Sequence, residues 1–293
     1  FGGTNWRFFG GRLVTGNHPI PFLIALSLIV GPVTLFSVFE CPHLYERYGA
    51  APVVIFAYMV ALCLASMFKA SFTDPGILPR NLDAWTLDDP LYTPPPPPPR
   101  HVQVNGTSVA LKYCVTCRIY RPPRCTHCKY CDNCVDMTDH HCIWLFQCVG
   151  KRNYRYFFAF VITATVLGIY TAVFSALHIV DQYHEGIATA THRASHSIVG
   201  SRGIGYYSVG SAVAARPVSL LLSIYGVLIA IVLGGMSSCH LFLVANNMTT
   251  YEYIRSNGHN REYQNPFNQR RGILSFWGNL VEILCRPQPD SYI

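Results

Sequence analysis

Charge is scarce in this 293-residue sequence. Lysine, arginine, aspartate and glutamate make up only 13% of it, while 51% is hydrophobic. Soluble domains are nearer one quarter charged. The shortage is concentrated in four runs, roughly 19–39, 53–72, 156–180 and 218–245, with Lys69 as their only formal charge. Each reaches the approximately 20 residues that a helix needs to cross a bilayer core. Soluble helices of that length keep a charged face, so a large soluble core is excluded. The first run contains Pro32 and lacks a small-residue cleavage site, which excludes a secretory leader. No basic helix or aromatic stacking pattern points to nucleic acid. Acidic residues are the scarcer sign, 15 against 22 basic, and the net charge of +7 suits anionic lipid headgroups. Phe1 is not a start methionine, so a preceding tail is expected.

The lysines and arginines outside the runs are unevenly spread. The stretches before Pro19, over 73–155 and after Ala245 hold two, ten and five, whereas 40–50 and 181–217 hold one and three. Positive residues collect on the cytosolic side, which places both termini and the cysteine-rich stretch there. The expected order is an N-terminal interfacial segment (1–18), transmembrane helices 1 and 2 (19–72), a proline-rich cytosolic linker (73–113), a cysteine-rich zinc domain (114–155), helices 3 and 4 (156–245) with an outer loop over 181–217, and a cytosolic tail (246–293). Trp6, Phe8 and Phe9 suit headgroup depth. Pro94–Pro99 read as a polyproline spacer, and Asn105-Gly106 as the turn of a short hairpin. The cytosol is reducing, so the cysteines should be metal ligands or a nucleophile rather than disulfides.

Between Cys114 and Cys148 stand eight cysteines and three histidines, more metal-binding side chains than packing requires. Two tetrahedral zinc sites would use eight of these eleven. The simplest division gives Cys114, Cys117, His127 and Cys134 to one zinc, and Cys128, Cys131, His141 and Cys148 to the other. A sequential division is also open on spacing alone. Either set is closed by four protein ligands, and such zinc is structural. The whole reads as an all-α polytopic membrane protein, four transmembrane helices with a cytosolic zinc-stapled cysteine-rich domain.

Cys125, His140 and Cys142 are left over. Cys125 reads as a small packing residue. In extended chain alternate side chains share a face, so His140 and Cys142 would point one way while His141 points into metal. A cysteine attacks as thiolate, an imidazole can take its proton, and a carboxylate can hold that imidazole in the right tautomer. Asp139, His140 and Cys142 supply these parts, although Asp139 needs a bend to reach His140. A nucleophile just before a membrane helix should meet a reagent with a polar head and an apolar tail. Fatty acyl-CoA is such a molecule. The expected chemistry is acyl transfer from CoA to Cys142 and then to a protein cysteine.

The run CVTC-x3-RPPRCTHCKYCDNC-x4-DHHC-x5-C-x4-N-x3-F, from Cys114 to Phe157, resembles the cysteine-rich domain of DHHC protein S-acyltransferases. Asp74-Pro75-Gly76, Thr249-Thr250-Tyr251-Glu252 and Asn265-Pro266-Phe267 fit the same family. The resemblance implies four helices around an acyl-chain cavity and the interleaved zinc sets. It also implies Cys142 as acyl carrier, His140 as base and Asp139 as its orienting partner, with Asn153 and the TTxE segment as nearby supports. Lys112, Arg121 and Arg124 are candidates for the CoA phosphates. More narrowly, Ile143-Trp144 after the DHHC, the run Gly150–Phe157 and Gly10-Gly11-Arg12 are similar to catalytic subunits of fungal Ras palmitoyltransferases. That likeness implies an endoplasmic reticulum location (the Golgi being the alternative), an accessory subunit and Ras-type GTPase substrates. Phe146-Gln147 depart from it, since two asparagines are usual there. Two rival classes are a membrane-anchored zinc scaffold without chemistry and a disulfide oxidoreductase. Cys63 and Cys239 read as packing residues, and Cys285 as a possible acylation site.

Overall fold

The computed structural model describes residues 2–83, 97–196, 207–259, 265–267 and 273–293. Four helices are long and apolar enough to cross a membrane: α1 (Ile20–Phe39), α3 (Ala50–Phe72), α4 (Tyr154–His196) and α6 (Pro217–Ala245). Short helices α2 (Cys41–Tyr48), α5 (Val209–Ala215), α7 (Thr250–His259) and α8 (Ile273–Leu280) complete the helical set. The fold is mostly helical, as expected, and an integral membrane protein follows from the four spans.

Two stretches read as outer loops hold helix. Pro42 lies in the first turn of α2, where a missing N–H leaves no bond unmade. The apolar run of the third span ends at Val180, yet α4 continues to His196. Residues 181–196 are polar but contain no proline or helix-breaking pair, so loss of apolarity ends the span without ending the helix. Of the proline run, Pro94–Pro96 lie outside the described residues, and Pro97–Pro99 belong to no helix or strand.

The chain divides into two compact units. One comprises Leu26–Leu64 and Val161–Met236. There Phe36 stacks on Phe56 with centroids 4.3 Å apart. A Cβ on Gly226 would stand 2.6 Å from the Gly168 carbonyl oxygen, so glycine permits the close approach of α4 and α6. A polar cluster ties the helices of this unit. Ser219 Oγ donates to Glu40 Oε1 at 2.7 Å, and His178 Nδ1 pairs with Glu40 Oε2 at 2.8 Å. Alongside, His43 Nε2 pairs with Asp181 Oδ2 at 3.1 Å, and the two imidazoles stack with centroids 3.9 Å apart. Glu40 is fully buried. Because unpaired polar groups are costly in apolar surroundings, these bonds fix one axial register among the helices. Cys63 is buried here as expected.

The other unit comprises Phe1–Ala25, Ala65–Phe160 and Ser237–Ile293. Five two-stranded antiparallel hairpins lie in it: β1 (Trp6–Phe8) with β2 (Leu13–Thr15), β3 (Arg100–Val104) with β4 (Thr107–Leu111), β5 (Tyr113–Cys114) with β6 (Ile119–Tyr120), β7 (Thr126–Cys128) with β8 (Asn133–Val135), and β9 (His140–Cys142) with β10 (Gln147–Val149). The β3–β4 turn is Asn105-Gly106, both at positive φ, as a type I′ turn requires. Two buried clusters of this unit are rich in cysteine. Val14, Ile77 and Val135 pack with Cys128, Cys131 and Cys148, and Leu78 and Ile119 with Cys114, Cys117, Cys125 and Cys134. Cys125 thus lies among packed thiols. Cys239, read as a packing residue, is instead exposed on α6, and Cys285 is also exposed. Amides bind the hairpins to the end of α3. Gln147 Nε2 donates to the Ser71 and Thr73 carbonyls at 3.0 and 2.7 Å, and Asn153 Nδ2 to the Ala70 carbonyl at 3.0 Å.

Glu40→Ala is expected to lower stability by about 1–3 kcal/mol, because it removes the carboxylate that two buried groups share and leaves them only their longer contact with each other. Glu40→Gln should lose less. Thermal unfolding of the purified protein in detergent checks the order of the two variants.

Candidate active site and metal centres

The hairpins position the ligands by register. His127 on β7 faces Cys134 on β8, and His141 on β9 faces Cys148 on β10. The Cys114/Cys117 and Cys128/Cys131 steps sit at the adjoining turns. Cys114, Cys117, His127 and Cys134 bring their ligand atoms within 4.8 Å of one another, and so do Cys128, Cys131, His141 and Cys148. In the first set His127 Nδ1 lies 3.6, 3.4 and 3.9 Å from the sulfurs of Cys114, Cys117 and Cys134. In the second His141 Nδ1 lies 3.5, 3.4 and 3.6 Å from those of Cys128, Cys131 and Cys148. A tetrahedral zinc with ordinary Zn–S and Zn–N bonds has S···N edges of about 3.5 Å. The two clusters can therefore hold two metal ions, and their dimensions suit zinc. Asp132 Oδ1 stands 3.5 Å from His127 Nε2, the outer carboxylate commonly found behind a ligating imidazole.

On the extended β9 strand His141 belongs to the second cluster, and His140 and Cys142 take the alternate positions. Asp139 reaches His140 directly, with Oδ2 at 2.7 Å from Nδ1. Its carboxylate is almost fully buried and held from a second direction. Thr250 N donates to Oδ1 and Thr250 Oγ1 to Oδ2, both at 2.8 Å. Burial alone would raise the Asp139 pKa, but the His140 hydrogen bond and the positive charge beside it hold it below the usual carboxylate range. Burial likewise lowers His140, yet the hydrogen bond to Asp139, the neighbouring Cys142 sulfur and the charge of the Asp139 carboxylate push it up to about 9. Cys142 is 8% exposed. A buried sulfur, an imidazole and an oriented carboxylate thus stand in series, an arrangement able to move one proton to and from sulfur.

Thr250 begins α7, whose N-terminus is a capping box. Glu252 Oε2 accepts from Thr249 N at 2.9 Å and Thr249 Oγ1 from Glu252 N at 3.2 Å, each satisfying one orphan donor. Arg124 braces this turn. Its Nε and Nη2 donate to Glu252, and Nη1 and Nη2 to Asn247. Its side chain is only 5% exposed and bonds within the protein, and it also lines one cleft with Lys112 and Arg121. Lys112 and Arg121 line a cleft of about 300 Å³ together with Arg255. Sequence reasoning missed Arg255, and it also missed His240 and Tyr154. His240 Nδ1 lies 3.1 Å from the Tyr154 hydroxyl, and its ring is 6.0 Å from that of His140. The available signal was a histidine in an otherwise apolar span.

Phe146 occupies the first expected asparagine position, with φ 42°, a region that suits asparagine better than a bulky residue. Its ring packs on Phe22 and Phe72. A Cβ on Gly16 would collide with the Phe146 carbonyl, so only glycine fits beneath this turn. Gln147 keeps an amide at the second position.

Four spans, two clusters able to hold metal and an adjoining histidine–cysteine pair are joined in one membrane-embedded protein. Residues 107–257 match the family model of DHHC palmitoyltransferases. The palmitoyltransferase erf2 of Schizosaccharomyces pombe is 36% identical over 299 residues, covering 99% of this chain and 79% of that protein. The palmitoyltransferase ZDHHC18 of Mus musculus is 34% identical, with coverage of 100% and 74%. The palmitoyltransferase erf2 of Emericella nidulans is 37% identical over 99% of this chain, which spans 46% of that longer protein. The chain belongs to the DHHC palmitoyltransferase family, and its activity is protein S-acyl transfer.

Both clusters should be filled in the purified protein, giving two zinc ions per chain. Cys128→Ser should lose at least one ion and destabilise the protein, since metal binding supplies the folding energy of such small modules. Cys125→Ser should retain both. Elemental analysis of the three proteins checks this.

Proposed function

We propose that Cys142 is the acyl carrier, with His140 as general base and Asp139 as its orienting group, and that fatty acyl-CoA is the donor. The single observation supporting this most strongly is the Asp139–His140 contact of 2.7 Å on the strand that presents Cys142. The Cys142 proton passes to His140. The sulfur attacks the acyl carbonyl, forming the enzyme thioester as the bond between the acyl carbon and the CoA sulfur breaks. His140 returns the proton to the departing CoA thiolate. In the second half, His140 takes the proton of a substrate cysteine, whose sulfur attacks the enzyme thioester and releases Cys142 as thiolate, reprotonated by His140. Lys112, Arg121 and Arg255 are proposed to meet the CoA phosphates, because they ring a cleft whose cations outnumber its acids, Glu252 being the only one.

The distribution of lysine and arginine supports a cytosolic position for this half of the protein. The resemblance to fungal Ras palmitoyltransferase catalytic subunits supports a Ras-type GTPase as acceptor, an accessory subunit, and residence in the endoplasmic reticulum.

Purified protein incubated with a clickable acyl-CoA should acquire a hydroxylamine-labile label, and Cys142→Ser should not. Label at full stoichiometry on Cys142→Ser would refute the assignment. His140→Ala should slow loading by roughly 10²–10⁴, the usual contribution of general-base catalysis. Thr250→Val removes one hydrogen bond to the Asp139 carboxylate and should slow loading about tenfold, since a charged hydrogen bond contributes about 1.5–3 kcal/mol. Rapid-quench measurement of acyl-enzyme formation checks both rates.

A further inference from the structure

The acyl-transfer reading leaves His240 without a task, although it is buried in an otherwise apolar span. An ionisable side chain in such a place generally serves a site. His240 lies five residues before the end of α6. One of its ring nitrogens is within 4.8 Å of a ligand atom from Asp139 and of another from His140. This is a third convergence of metal-binding side chains, and it shares no residue with the two closed clusters.

Its chemistry differs from theirs. Each closed cluster offers three thiolates and one imidazole, whereas this one offers two imidazoles and one carboxylate. Zinc accepts such a set at three positions while a fourth stays open. Calcium and magnesium prefer oxygen ligands, and imidazole nitrogen suits zinc. The side chains are held in place without an ion. Thr250 N and Oγ1 donate to the Asp139 carboxylate, both at 2.8 Å. The Tyr154 hydroxyl, 3.1 Å from His240 Nδ1, is the only hydrogen-bond partner of that ring among the described residues. Both imidazoles stand edge-on to the Phe157 ring, with centroids 4.9 Å away for His240 and 5.1 Å for His140. The His140 side chain is one-quarter exposed, which leaves a route for a small ion.

We propose that Asp139, His140 and His240 bind a third, exchangeable zinc ion, and that this ion switches the enzyme off. With one ligand fewer than the closed clusters, the site releases its ion more readily. Adjacent nitrogen and oxygen ligands of tetrahedral zinc stand about 3.3 Å apart. An ion bound between Asp139 and His140 therefore opens their 2.7 Å contact, and it engages the imidazole that proton transfer needs. The binding site stands without the acyl-transfer assignment. The inhibition rests on that assignment.

The test is titration of tag-free, full-length protein with zinc chloride, read by native mass spectrometry. One ion beyond the two of the closed clusters is expected, and a chelator too weak to empty four-ligand sites should remove it alone. Loss of an outer-shell partner weakens metal binding by roughly 10–100-fold. His240→Gln, which removes a ligand, should weaken the third ion by at least roughly a hundredfold while the other two remain. His140→Ala should do the same. Cys142→Ser should still bind the third ion, which tests the site apart from acyl transfer. In parallel, added zinc should slow acyl-enzyme formation by the unmodified protein but not by His240→Gln at the same free zinc concentration. Absence of a third ion, or its retention by both His240→Gln and His140→Ala, would overturn the site. Loss of the third ion in Cys142→Ser would assign it to the Cys142 sulfur and overturn the site as well. A third ion that binds without slowing acyl-enzyme formation would overturn the switch.

Discussion

A hairpin of two or three residue pairs does not hold itself together in water, and the functional half of this protein has several of them. What closes them is the convergence of thiolates and imidazoles on two points. The ligands of each cluster come from different hairpins, so metal binding joins β5–β6 to β7–β8, and β7–β8 to β9–β10. The same constraint reaches the site chemically. His141 is committed to a cluster, so the pleat of β9 turns His140 and Cys142 the other way. Side chains with separate tasks stand next to each other in sequence because an extended strand separates them in space.

The clusters alone would leave that strand unanchored relative to the helices. Anchoring comes from amides. Gln147 and Asn153 donate to carbonyls at the end of α3, where a helix has acceptors with no partners of its own. Both residues lie within the module that contains the ligands, so the module is fixed to the point where α3 ends and α4 begins. The Cys142 sulfur, on that module, lies close to the membrane surface. In the apolar unit a comparable task falls to Glu40, which draws side chains from α4 and α6 onto one carboxylate.

The spans were legible because uncharged runs of this length have few alternatives. The ligands were legible because repeated cysteine pairs with two residues between them suit metal and little else. The Asn105-Gly106 turn was legible because both of its residues tolerate positive φ. The extension of α4 was not, since a polar segment without proline reads as loop when apolarity is the guide. The partner of Arg124 was not legible, since nothing near a basic residue in one dimension points to Glu252, 128 positions away. His240 was overlooked as a neighbour of His140 for the same reason, since contacts of long sequence separation leave no local pattern, whereas the Thr249–Glu252 segment was placed near the site by resemblance alone.

Asp139 shows how these long-range contacts reach the chemistry. A buried carboxylate resists ionisation unless it is bonded in its charged form, and this one receives three hydrogen bonds. Two come from the first residue of α7, whose N-terminus also carries partial positive charge. That turn is closed by its own capping box and braced by the paired donors of Arg124 to Glu252. Arg124 precedes β7, the strand that carries ligands to both clusters. The hairpins therefore hold the arginine, the arginine holds the helix end, and the helix end holds the acid that orients the imidazole. A change at Arg124 touches neither Cys142 nor a metal ligand, yet it loosens the helix end that supplies two hydrogen bonds to the Asp139 carboxylate.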